Sequence, residues 1–147
     1  MLLWRVSRHR DLSGAGGLRA PARWHEQGSR VLYLADTPAG ALLESCVHTS
    51  AGDVPPNYTL LAVVVPDEVS TEVVQVGTLP SDWMDKVEAT RAIGSAWLRS
   101  QRSALLRVPS ALVPATFNYV LNPLHADAKR LRIESVYEYP FDPRIKK

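Results

Sequence analysis

The run "YTLLAVVV" at residues 58–65, closed by Pro66, constrains the fold of this chain most tightly. Eight residues with so little polar character are too few for an ordinary globular helix, and the β-branched side chains favour a strand. Because the apolar residues do not alternate with polar ones, both faces of that strand must be covered, which places it centrally in a sheet. Other strand patterns accompany it: "LLWRVS" (2–7), "RVLYLA" (30–35), a weaker "STEVVQV" (70–76), "ALLRVP" (104–109), "FNYVLN" (117–122) and "LRIESVYEYP" (131–140), whose alternation predicts one wetter face. Thr37 followed by Pro38 is a helix start, with a hydroxyl cap and a proline at the first helical position, and the helix should run to about His48. Residues 82–102 give the longest helical pattern, with Val87, Ile93, Trp97 and Leu98 among its apolar positions. Strands outnumber helices without a regular strand–helix rhythm, which predicts an α+β sheet domain and not a doubly wound one.

A length of 147 residues suits a single domain over 1–147, able to bury a core without staples. No repeat, low-complexity tract or apolar run of membrane-spanning length interrupts it, and arginines follow the first apolar residues at once, so the expectation is a soluble, cytoplasmic protein without a secretory signal. The single cysteine, Cys46, excludes an internal disulfide framework and fits a reducing compartment. A formal net charge of +2 argues against a surface that coats nucleic acid. The charge is unevenly spread: residues 1–30 hold six arginines (Arg5, Arg8, Arg10, Arg19, Arg23, Arg30) against two acids, Asp11 and Glu26. A guanidinium fork suits bidentate capture of phosphate or carboxylate, although exposed arginines are usually only solvated.

Several familiar chemistries lack support. "SGAGGLRAP" follows a strand, but Arg19 fills the third glycine position of a dinucleotide fingerprint and Pro21 bars an immediate helix, so the glycines are read as building a tight loop. The four histidines (His9, His25, His48, His125) are widely spaced, and Cys46 with His48 is too small a cluster for a metal site, so no metal is expected. No G-x-S-x-G elbow is present. An RNA-cleaving centre would need a basic groove and an acid–base pair such as His9 with His48, and the near-neutral charge speaks against it.

Glu44 is different. In the helix starting at Pro38, Leu42, Leu43, Cys46 and Val47 form the apolar seam, with Glu44 beside it and His48 one turn on. Such a glutamate is either a solvated helix residue or a partly buried carboxylate at a cleft, where Arg23 would neutralise it. "VPSALVPATFNYVLNP" (108–123) holds Ser110, Asn118, Tyr119 and Asn122 between prolines. Those groups either close turns through their own backbone or serve as fixed donors.

Taken together, "LWRVSRHRDLSGAGGLR", "RWHEQGSRVLYLADTPAGALLESCVH", "VPSALVPATFNYVLNPLH" and the closing "FDPRI" resemble the RES-domain toxins of bacterial toxin–antitoxin pairs, over nearly the whole chain. The resemblance implies an α+β fold with a small mixed or antiparallel sheet similar to ADP-ribosyltransferase toxins. It also implies NAD+ as substrate and not cofactor, cleaved at the nicotinamide–ribose bond by hydrolysis or phosphorolysis. ADP-ribosylation of a protein is the alternative, and a non-catalytic nucleotide- or partner-binding module a second one. By motif, Arg23, Glu44 and Ser110 fall on the name-giving catalytic positions; Arg5 and Tyr33 match further active-site positions, and Arg19 and Asn118 join them as NAD-binding candidates. Ala22 stands where many relatives carry glycine. The implied partner is an Xre-like helix-turn-helix antitoxin that covers the NAD cleft and makes any DNA contact itself, with inorganic phosphate as a possible second substrate.

Overall fold

The computed structural model describes residues 1–146. Its strands are β1 (Leu2–Val6), β2 (Leu32–Ala35), β3 (Asn57–Val64), β4 (Thr71–Val73), β5 (Leu105–Pro109), β6 (Phe117–Leu121) and β7 (Arg132–Pro140); its two α-helices are α1 (Pro38–Val47) and α2 (Val87–Ser100). The strands form one mixed sheet in the order β4-β5-β6-β2-β1-β3-β7, in which only β4 and β5 run parallel. This is the α+β architecture expected from the strand-rich, arrhythmic pattern. No helix among the described residues is long and apolar enough to cross a membrane.

The "YTLLAVVV" run forms β3, but β3 lies one strand in from the edge, between β1 and β7, and β2 holds the middle. Its apolar character comes from cover on both faces and not from centrality. Leu61 and Val63 join Leu3, Leu32 and Leu34 in one core cluster, while Leu60 packs with Ala35 and Ala41 beneath α1. A third cluster, built on Trp24, Trp83, Trp97, Leu106, Val108 and Val120, lies under α2.

Thr37 caps α1 as its sequence requires, its hydroxyl accepting from the Gly40 N–H at 2.9 Å, with Pro38 in the first turn. The buried face of α1 differs from the anticipated seam: Ala41 and Cys46 are buried, whereas Leu43 and Val47 are exposed. Ala41 meets the small Ala35 of β2, and that contact lets the helix sit close to the sheet. Burial pushes the Cys46 thiol pKa upward, which suits packing and not nucleophilic attack.

The second helix is shorter than its pattern. Residues 81–85 are turns, and the carbonyls of Trp83 and Met84 accept hydrogen bonds from Arg23 Nη1 at 3.4 and 2.9 Å. The buried Trp83 ring packs against Trp24, so tertiary contacts fix this segment outside the helix. At the other end Gln101 caps α2 in the left-handed conformation, φ 57°.

One irregularity positions the site. Strands β1 and β2 pair at a single register point, Trp4 opposite Ala35. A continuous ladder would set Val6 opposite Tyr33; instead the strands splay, and the Tyr33 carbonyl accepts from Arg5 Nη1 at 3.0 Å.

Candidate active site

A cleft of about 710 Å³ opens over this split, walled by α1, by the segment Ala20–His25 and by the start of α2. That volume is in the range of small-molecule sites. Arg5, Arg23, Tyr33, Glu44 and Asn118, all anticipated from the sequence, line it. Arg19 does not: it follows the short 3₁₀ turn Ala15–Leu18, its N–H bound to the Gly16 carbonyl, and it is exposed. Gly14, at φ 69°, gives this loop the left-handed turn that the glycine-rich sequence suggested.

Glu44 is half-buried on the cleft side of α1. One oxygen, Oε1, accepts from Ser110 Oγ at 2.8 Å and from Asn118 Nδ2 at 2.8 Å. The other, Oε2, has no protein hydrogen-bond partner among the described residues. Two donors on one oxygen fix the carboxylate plane and leave the second oxygen available to a ligand. No ion pair joins Glu44 to Arg23 among the described residues, so the expected neutralisation by Arg23 is replaced by neutral donors. The reason is local: Arg23 is drawn to the carbonyls before α2.

Ser110 is 3% exposed and does not line the cleft. Its oxygen accepts from the N–H groups of Leu112 and Val113, both at 3.2 Å, and its one proton goes to Glu44. The hydroxyl thus closes its own turn and reaches across the fold, joining both readings of the proline-bounded segment. The Asn122 side chain, by contrast, closes a local turn, through Oδ1 to the Leu124 N–H.

The segment bearing Arg23 is clamped by α2. Thr90 Oγ1 donates to the Arg23 carbonyl at 2.6 Å, Arg91 Nε donates to the Ala22 carbonyl at 2.8 Å, and Ser95 Oγ accepts from the Glu26 N–H at 3.2 Å. The three residues that make this clamp, Thr90, Arg91 and Ser95, were not singled out by sequence reasoning. The sequence did hold one signal: Gly94 in the middle of a helix marks a close backbone approach.

Tyr33 and His25 are locked together. The Tyr33 hydroxyl accepts from the Trp24 N–H at 3.1 Å and lies 2.7 Å from His25 Nδ1, while His25 Nε2 lies 2.9 Å from the Ala20 carbonyl. A carbonyl can only accept, so the imidazole proton sits on Nε2, and Nδ1 takes the Tyr33 proton. Burial, partly offset by the carbonyls of Ala20 and Gly17, holds the His25 pKa below its ordinary value. Burial likewise drives the Tyr33 phenol upward, so it stays protonated. In the unfolded chain this histidine takes up a proton at about pH 6.5, whereas the folded chain keeps the ring neutral to lower pH. This contribution to stability is therefore intact above that value and is lost as pH falls, by at most about 1.4 kcal/mol per pH unit. Urea midpoints compared between pH 7.5 and 5.5 should fall less in His25→Gln than in the parent; equal falls would show that the buried ring is not the source.

Arg5, Arg23 and Arg91 reach the cleft, and none forms an ion pair with a carboxylate among the described residues. Arg5 Nε is also buried without a partner, and burial lowers the Arg5 pKa. Among those residues no group of three or more His, Cys, Asp and Glu side chains is placed to hold a metal ion.

Comparison with known proteins identifies the family to which a chain with this cleft belongs. The RES domain family model matches residues 2–142, and the chain belongs to the RES-domain family. It is 42% identical over 147 residues to "Toxin Res" of Pseudomonas putida, covering 99% of each chain. It is 44% identical over 140 residues to the "Prs ADP-ribosylating toxin" of a Sphingobium species, covering 92% of this chain and 86% of that one. The fold is shared with a chain of the M. tuberculosis MbcT–MbcA toxin–antitoxin complex, at a TM-score of 0.73 and 21% identity, over 98% of this chain and 85% of that chain.

Proposed function

We propose that this chain is the toxin of a toxin–antitoxin pair and that it cleaves NAD+ at the nicotinamide–ribose bond in the cytoplasm. The observation that carries this reading is the half-tethered carboxylate: Glu44 Oε1 is held by Ser110 and Asn118, and Oε2 is free in a cleft that also receives three unpaired guanidinium groups.

When the C–N bond breaks, its electron pair goes to the pyridinium nitrogen and nicotinamide leaves neutral, while the anomeric carbon becomes cationic. A fixed carboxylate beside that carbon stabilises the charge as it develops and accepts a hydrogen bond from a ribose hydroxyl. Ser110 serves this step through Glu44 and is a positioning residue, since its only proton is already committed. Arg5 and Arg23 hold the phosphates, and the Tyr33 ring, locked by His25, forms a wall for nicotinamide or ribose. Attack by water at the anomeric carbon yields ADP-ribose and releases one proton; attack by inorganic phosphate yields ADP-ribose 1''-phosphate. The Sphingobium relative's name favours a second reading, in which a protein side chain is the acceptor.

The partner in this reading is an antitoxin that covers the cleft, of the Xre-like helix-turn-helix type. Incubation of the purified chain with NAD+, with and without phosphate, tests the chemistry. The expected result is free nicotinamide with ADP-ribose, or with its 1''-phosphate when phosphate is present. NAD+ left intact in both arms and with cell lysate proteins added would defeat both readings.

A further inference from the structure

The three guanidinium groups of the cleft differ in which of their N–H groups are already engaged. Arg5 gives Nη1 to the Tyr33 carbonyl, and Arg23 gives Nη1 to the carbonyls of Trp83 and Met84. Arg91 gives only Nε, to the Ala22 carbonyl at 2.8 Å. Its two terminal nitrogens, the pair that can face two oxygens of one phosphoryl group, have no protein partner among the described residues. The fork is also held in place: its Cα belongs to α2, its Nε is bound, and the side chain is half-buried against the cleft wall. A side chain ordered before the ligand arrives loses little further entropy on binding.

The charge of the cleft points to the same kind of ligand. Three arginines and one carboxylate, Glu44, line it, leaving an excess of +2 with histidines counted neutral. A dinucleotide carries two negative charges on its pyrophosphate. We propose that Arg91 forms an anion subsite in this cleft, gripping a phosphoryl group of the pyrophosphate through Nη1 and Nη2. Its assignment to NAD+ rests on the reading above, whereas the subsite itself rests on the free fork and the unpaired charge.

Arg91→Gln and Arg91→Lys test it with two probes. Inorganic pyrophosphate, titrated calorimetrically, should bind Arg91→Gln about tenfold or more weakly than the parent, with Arg91→Lys in between because it keeps the charge and loses the fork. With NAD+, KM should rise by more than kcat falls in both variants. Nicotinamide, which has no phosphate, should inhibit parent and Arg91→Lys alike, a result that a merely distorted cleft would not give. Equal pyrophosphate affinity in parent and both variants overturns the subsite, as does a parallel loss of nicotinamide inhibition. An Arg91-dependent pyrophosphate site in a parent that leaves NAD+ intact would keep the subsite and remove NAD+ as its ligand.

Discussion

Glu44→Gln should lower the rate of nicotinamide release by about 10²–10³, the loss typical when a charge-stabilising group is removed from a transition state. The substitution isolates the charge. The glutamine carbonyl can still accept from Ser110 and Asn118, as Glu44 Oε1 does at 2.8 Å from each, while an amide nitrogen replaces Oε2. Shape and tether persist, and only the negative oxygen facing the cleft is gone. Such a rate loss corresponds to roughly 3–4 kcal/mol of transition-state stabilisation, at about 1.36 kcal/mol per tenfold. Single-turnover assays with enzyme in excess measure it without interference from product release, and thermal unfolding of the variant should match the parent. A variant that consumed NAD+ at the parent rate would remove Glu44 from the chemistry and leave the carboxylate as a cleft-wall residue.

The largest stability effect belongs to a residue with no part in the chemistry. Gly94 faces the backbone of the segment that α2 clamps, and a Cβ added there would lie 1.7 Å from the Trp24 carbonyl oxygen and 2.7 Å from the Trp24 carbonyl carbon. The obstacle is backbone, which cannot swing aside as a side chain would. Gly94→Ala must therefore push α2 off the segment that carries Arg23 and His25 and break the bonds made by Thr90, Arg91 and Ser95. Overpacking of this kind costs about 3 kcal/mol, more than the ~1 kcal/mol that alanine gains over glycine in a helix. For a domain of this size the net loss lowers Tm by roughly 5–10 °C. Activity should fall with it, since displacing a positioning loop by ~1 Å can cost a hundredfold. Thermal unfolding followed by circular dichroism provides the measurement, with Gly52→Ala as control because nothing lies within 4 Å of a Cβ there. Equal midpoints for the two variants would contradict the close approach of α2 to Trp24.

Both predictions depend on contacts between distant parts of the chain, and this separates what was legible in the sequence from what was not. Local signals were sufficient for the strands, for the α+β class and for the Thr37–Pro38 start of α1, because side-chain periodicity and capping depend on neighbours a few residues apart. Residue type and motif also marked seven residues as members of one site; Arg5, Arg23, Tyr33, Glu44 and Asn118 line one cleft, whereas Arg19 and Ser110 do not.

The tertiary structure decided how those residues are engaged. Ser110 and Asn118 lie 66 and 74 positions from Glu44, and no pattern within either segment shows that both donate to the same oxygen. Residues 82–86 carry a helical pattern, yet Arg23, some sixty positions away, occupies the carbonyls of Trp83 and Met84. No sequence feature marks Arg91; only the packing of α2 against Ala22 binds its Nε and leaves its fork open to the cleft. Periodicity and capping are fixed by the chain's own few-residue geometry, whereas the partner of a polar atom depends on which distant backbone groups the closed sheet leaves unpaired beside it.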